Sequence, residues 1–293
     1  MDNVNDFFAT LSSCLWGWPM IILLLGTHIF LTIRLRFPQR KIITAIRLSV
    51  QRDKSQKGDV SQFGALATAL AATIGTGNII GVATAVALGG PGAVFWCWLT
   101  GVFGISTKYS EALLAIKYRV KSKRGTMQGG PMYTLERGLG WRKMGILFAA
   151  FTAIAAFGIG CTVQANAIST IMHASYGIST EVSGGVLMLL AAAVIIGGVR
   201  SISKVCSMLV PFMALLYVVG CIYILCVNAS YVAPALKLIV CSAFSPDAAG
   251  GGFAGASVIM AARYGIARGL FSNESGLGSA PIVAAAARTK NPV

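Results

Sequence analysis

The chain has 293 residues, of which 56% are apolar and only 11% are charged, and its mean hydropathy is strongly positive. A soluble fold of this size would need more charge. The net charge of +15 does not point to nucleic acid, because that reading needs basic side chains on one exposed face. Here they fall in the gaps between apolar spans: eight Lys or Arg against two acids from Arg34 to Asp59, and eight against Glu136 alone from Lys117 to Lys143. The positive-inside rule places both segments in the cytoplasm.

A spanning helix needs about 20 predominantly apolar residues, and the chain offers seven such regions in order. The first is predicted near Leu15 to Ile33. Its leading flank carries Asp2 and Asp6 and no basic residue, so it reads as a retained helix rather than a signal peptide, with the N-terminus outside. The basic segment Arg34 to Asp59 follows inside. A second span, Phe63 to Leu88, returns outward, and the Gly89, Gly90, Pro91, Gly92 turn starts a third, Ala93 to Ile116. After the second basic segment come a fourth span, Gly145 to Met172, and a short external stretch, His173 to Ser183. The fifth span, Gly184 to Val199, ends at Arg200 and Lys204 inside. The sixth, Val205 to Val227, runs outward to an external segment, Asn228 to Asp247.

The last region, Gly250 to Ala287, is too long for one simple helix and contains Arg263, Arg268 and Glu274. It is predicted to combine an interfacial or re-entrant piece with a broken spanning helix. The fold class is therefore all-α, a polytopic membrane protein. Residues 1–60 form an N-terminal helix and basic segment, 61–227 a five-helix repeat, and 228–293 an external segment with the opening helix of a second repeat.

The seven cysteines lie mostly in apolar spans without a CxxC pair, and read as packing residues. His28 and His173 have no metal-ligand partner at helical spacing. A membrane enzyme would need a His and acid or a Ser and base cluster, and a channel would need rings of carbonyls or charges. The sequence offers neither.

Two spans look interrupted. In the second, Thr73, Ile74, Gly75, Thr76, Gly77, Asn78 places two glycines and an Asn where a helix interior is expected. Each glycine costs about 1 kcal/mol relative to alanine there. Unwound backbone at membrane depth is tolerable only where protein buries it or it lines a cavity. Gly81 reads as a close-packing residue, but close packing does not require Asn78 or the hydroxyls of Thr73 and Thr76. A dinucleotide fingerprint is excluded, since the glycines fall at 75, 77 and 81 with no preceding strand.

The last region has a similar interruption from Phe271, Ser272, Asn273 and Glu274 through Ser279 to Pro281. The two interruptions lie five helices apart and enter from opposite sides, the arrangement of an inverted repeat. Half-helix N-termini suit a carboxylate, and unwound carbonyls with hydroxyls suit a small cation. An amino acid with Na+ fits that chemistry. Gln164, with Asn166 near it, fits either a substrate contact or an interhelical hydrogen bond. Lys108 and Glu111 read as a neutralising pair. Glu274 is a functional acid by default, with Arg263 or Arg268 as alternative partners.

The run Ala69 to Ile79, the GGPG turn followed by Phe95 and Trp96, and GLFSNESGLGSAP from Gly269 to Pro281 resemble the alanine or glycine:cation symporters, the sodium:alanine symporter family. The resemblance covers essentially the whole chain. It implies a LeuT-type inverted-repeat fold in the cytoplasmic membrane and symport of a small neutral amino acid, driven by Na+ or in some members H+, with no other cofactor. It implies substrate contacts at Thr73, Gly75, Thr76, Gly77, Asn78, Gln164, Phe271, Ser272 and Asn273. For the cation it implies backbone groups near Ala71 to Ile74, with Asn78 and Ser272. Family members carry several more spans, so the expectation is a C-terminally truncated chain, with a non-transporting fragment as the alternative to a symporter.

Overall fold

A computed structural model describes residues 2–50, 58–123, 125–244 and 258–289. It is helical almost throughout. In chain order the helices are α1 (Asp2–Leu15), α2 (Trp18–Arg34), α3 (Ile42–Val50), α4 (Gln62–Thr73), α5 (Val82–Gly89) and α6 (Gly92–Lys117). A short antiparallel hairpin follows, β1 (Val120–Lys121) with β2 (Met127–Gln128). Then come α7 (Pro131–Gly138), α8 (Arg142–Ala155), α9 (Val163–Tyr176), α10 (Thr180–Ile195), α11 (Gly198–Val227), α12 (Ala229–Ser242), α13 (Val258–Asn273) and α14 (Ala280–Ala285). The π-helical turn Ala156–Thr162 joins α8 to α9, so Arg142–Tyr176 is one apolar run.

That run and α11 are each long and apolar enough to cross a membrane, and two bent helix pairs raise the number of such spans to four among the described residues. The long apolar helices and the composition make this a membrane protein. Seven spans were expected, and the shortfall has visible causes. α10 has 16 residues, α6 carries Lys108, Glu111 and Lys117, and α13 carries Arg263 and Arg268.

One boundary is corrected and two segments gain detail. The first expected span begins at Trp18 rather than Leu15, because Gly17 is extended and Pro19 fits a first helical turn, and a separate helix, α1, precedes it. The basic segment after it contains α3, and the segment expected outside contains α12, a 14-residue helix with Pro234 inside it. The part of the final region at 250–257 lies outside the described residues.

The chain divides into two compact units, the first comprising Met1–Ile42, Gly77–Ser110 and Tyr217–Gly276, the second Ile43–Thr76, Glu111–Leu216 and Leu277–Val293. In the first unit, Ile21 and Leu24 of α2 pack on Ala262, Ile266 and Leu270 of α13. Lipid is as apolar as these side chains, so membrane helices associate through close packing and hydrogen bonds rather than hydrophobic burial. The contact of α6 with α13 follows that rule. A Cβ on Gly265 would collide with the Ala93 carbonyl, and one on Gly269 with the Thr100 hydroxyl. The end of α12 docks on the start of α6, where Trp96 Nε1 donates to the Ala243 carbonyl at 3.3 Å.

In the second unit, Ser61 caps α4 by accepting from Gly64 N–H at 3.0 Å. The residues before this cap pair with the chain after α14: Val60 bridges Ala287, and Arg288 N–H donates to the Val60 carbonyl at 2.9 Å. Asp59, only 7% exposed, accepts from Met127 N–H at 2.6 Å and lies 4.0 Å from the Arg200 guanidinium. Arg119 donates to the carbonyls of Ala285, Ala287 and Thr289 at 3.2, 2.8 and 2.7 Å. Burial pulls the Arg119 guanidinium below its ordinary pKa, and Asp59 opposes that shift.

Candidate functional site

The first interruption follows α4. Thr73, its last residue, turns its hydroxyl back to the Ala69 carbonyl at 3.0 Å. Ile74 then leaves the helix with φ −92° and ψ 91°, although its N–H still reaches the Leu70 carbonyl at 2.7 Å. Gly75 follows outside any helix, Thr76 opens the next helical stretch, and Gln164 supplies a partner there. Its Oε1 accepts the Thr76 hydroxyl at 2.7 Å and, more weakly, the Thr76 N–H at 3.5 Å. A Cβ on Gly75 would lie 3.4 Å from Gln164 Nε2. The second unit thus brings together three of the expected residues, Gly75, Thr76 and Gln164. Gln164 sits on the first turn of α9, directly after the π-helical turn, and such turns recur at functional sites.

In the first unit the chain resumes with a π-helical turn, Gly77–Gly81. Gly77 faces Phe271: a Cβ there would lie 3.3 Å from Phe271 Cε1. Asn78 and Ser272, both expected at a cation, are half-buried in this unit, and no hydrogen bond joins them among the described residues. Ala71 and Ile74 are also half-buried.

The second interruption begins where Glu274 takes a left-handed φ of 50°. Its N–H donates to the Leu270 carbonyl at 3.0 Å, which closes α13. The Asn273 carbonyl at that end accepts from Lys108 Nζ at 2.7 Å. Gly101 lies opposite the Asn273 side chain, with Nδ2 3.7 Å from where its Cβ would be, and Gly104 lies opposite Ser275, with Oγ at 2.9 Å. Behind Ser275 is His28, fully buried, whose Nδ1 is 2.7 Å from the Thr107 hydroxyl. A buried polar group in these surroundings requires such a partner.

Sequence reasoning missed this second cluster. In the sequence Lys108 has Glu111 as its evident partner, and His28 has no metal-ligand partner at helical spacing. The signal was nevertheless present in α6. Gly101, Gly104 and Lys108 are spaced three and four residues apart, which places them on one face of the helix.

The sodium:alanine symporter family matches the chain over residues 1–293. An uncharacterized transporter of Haemophilus influenzae is 52% identical over 293 residues, 99% of this chain and 64% of its own length. The sodium/alanine symporter AgcS of Methanococcus maripaludis is 51% identical over 299 residues, 100% of this chain and 65% of its own length. The probable sodium/glutamine symporter GlnT of Bacillus subtilis is 39% identical over 282 residues, 95% of this chain and 58% of its own length. The chain therefore spans less than two thirds of the length of these relatives. With a family match from the first residue to the last, the chain belongs to the sodium:alanine symporter family.

Proposed function

We propose that the chain takes part in sodium-coupled symport of a small neutral amino acid, alanine or glycine, across the cytoplasmic membrane. The observation that carries this reading is the broken helix after Thr73, where Gln164 meets Thr76. Backbone released from a helix inside an apolar span is costly unless something replaces its hydrogen bonds. Here part of the replacement is an amide side chain that a ligand carboxylate can displace.

On this reading, N–H groups at Gly75 to Asn78 receive the substrate carboxylate, and Thr73, Gln164 and the Phe271 to Asn273 segment supply further contacts. The cation takes oxygens from the backbone near Ala71 to Ile74, with Asn78 and Ser272, because Na+ is a hard ion that prefers oxygen ligands. A LeuT-type arrangement follows, with a first repeat over residues 61–227 and the second opened by α13. Residues near Asp59, Arg119, Arg200 and Arg288 come together in the second unit, which supports the reading that the basic segments share the cytoplasmic side. The name of AgcS favours alanine over glutamine, the substrate in the name of the less similar GlnT.

The test is uptake of labelled alanine into proteoliposomes containing this chain, with and without an imposed sodium gradient. Gradient-dependent uptake supports symport by these residues. No uptake under either condition, alongside activity in a full-length relative, makes this chain a non-transporting part. In a transporting chain, Asn78→Ala is expected to raise the sodium concentration needed for half-maximal uptake, and an unchanged requirement removes Asn78 from the cation ligands.

A further inference from the structure

The end of an α-helix presents carbonyls that no following turn satisfies and that carry a partial negative charge. An ionisable side chain within a membrane helix needs a partner. Both requirements are met at the second interruption. α13 ends at Asn273 because Glu274 is left-handed, and Lys108 donates its ammonium to the Asn273 carbonyl at 2.7 Å.

The lysine is seated by its own helix. Gly101 and Gly104 leave room for Asn273 and Ser275 to approach α6, and Thr107, next to the lysine, is bonded to the buried His28 of α2. The lysine therefore projects from a helix face fitted to residues 273–275. A mobile cation brought to the same carbonyl would meet a resident positive charge within a few ångströms, where low dielectric makes like-charge repulsion strong. With Glu274 next in the chain, this interruption carries a base and an acid of its own.

Resting on the symport reading, we propose that Lys108 is a positioning residue whose ammonium is the built-in cation of the second interruption, holding Asn273 and the end of α13 where a second coupling ion would otherwise bind. One coupling cation per substrate then suffices, and it depends chiefly on the oxygens of the first interruption.

The test is alanine binding by the purified chain in nanodiscs across a sodium series at constant ionic strength, for the wild type, Lys108→Arg and Lys108→Met. The wild type is expected to show a sodium dependence with a slope near one. Lys108→Arg, which keeps a charged donor, stays within about threefold in affinity, a difference under 1 kcal/mol. Lys108→Met loses about tenfold or more at low sodium and recovers at high sodium with a steeper dependence, as an ion enters the vacated place. An unchanged affinity and slope in Lys108→Met overturns the proposal. So does a loss that no sodium concentration restores, because that is the behaviour of a purely structural side chain.

Amide hydrogen exchange over residues 270–277, measured without substrate, keeps the two readings separable. If the wild type binds no alanine, the symport reading fails for this chain, while exchange still tests the lysine. Faster exchange in Lys108→Met that sodium reverses supports the built-in cation, and equal exchange in all three proteins overturns it. Lys108→Gln replaces the Met variant if the latter does not insert.

Discussion

At the first interruption Ile74 leaves the helix with an ordinary negative φ, and the glycines on either side of Thr76 have space for a side chain at or near van der Waals distance. At the second, Glu274, Gly276 and Gly278 all take left-handed backbone, with φ of 50°, 87° and 80°. The two segments face the same physical problem, a backbone freed from its helix inside an apolar span. The first is held by hydrogen bonds that Thr76 donates to Gln164, an acceptor that another can replace. The second is held by the Lys108 bond to the Asn273 carbonyl and by left-handed backbone that Gly276 and Gly278 adopt readily and other residues do not. One is built to exchange partners and the other to keep its shape.

The sharpest way to break this contrast is Gly278→Val. A left-handed residue other than glycine costs about 1 to 2 kcal/mol. The new side chain would also meet Phe148 Cζ at 2.7 Å and Pro131 Cγ at 2.8 Å, and such overpacking adds about 1 to 3 kcal/mol. Thermal unfolding in detergent should show a large loss of stability. Gly75→Ala is expected to cost no more than about 1 kcal/mol, because the added methyl makes ordinary contact with Gln164 at 3.4 Å. Equal losses for the two variants would remove the distinction.

A smaller effect is expected where the chain beyond the second interruption is tied down. Arg119→Ala removes three donated bonds to the carbonyls of Ala285, Ala287 and Thr289. Bonds to a charged group contribute about 1.5 to 3 kcal/mol when lost singly. Those sharing one guanidinium do not add, so about 2 to 3 kcal/mol in total is expected. Hydrogen exchange near residues 285–289 should rise in this variant, while exchange near 73–76 stays unchanged.

Gln164→Leu tests the other half of the contrast. Loss of the 2.7 Å bond from Thr76 should cost only about 1 kcal/mol of stability. If this amide holds the place of a ligand, alanine binding should fall by more than that stability change, and Gln164→Glu should weaken binding further through repulsion of the substrate carboxylate. Binding that falls only as far as stability would make Gln164 a packing residue.

Both interruptions were legible in the sequence, because glycine, Asn and hydroxyl residues within apolar runs are locally out of place. The GGPG turn likewise marked the start of α6 at Gly92. What stayed hidden was how side chains meet over long separations. Nothing near Lys108 announces that its ammonium will end on Asn273, since that contact depends on α6 packing against α13. α12 escaped for a different reason: with 14 residues and an internal Pro234, it is too short to read as a span and fell within the segment expected outside. Gln164 was visible as a polar residue out of place, but only the fold joins it to Thr76.

The smallest expected effect lies away from both interruptions and serves as their control. Glu181, at the start of α10, is held below the usual carboxylate range by its own backbone N–H and by the hydroxyls of Ser179 and Thr180. A carboxylate with a depressed folded pKa contributes stability above its unfolded pKa and loses it as pH falls through the folded value. Glu181→Gln should therefore lower the melting temperature slightly at neutral pH, and the difference from wild type should vanish on acidification below the ordinary carboxylate range. The side chain is solvated, so neither alanine binding nor its sodium dependence should change. A Glu181→Gln variant that altered sodium dependence would show that coupling extends beyond the two broken helices, and the contrast between them would then be too narrow a description of the site.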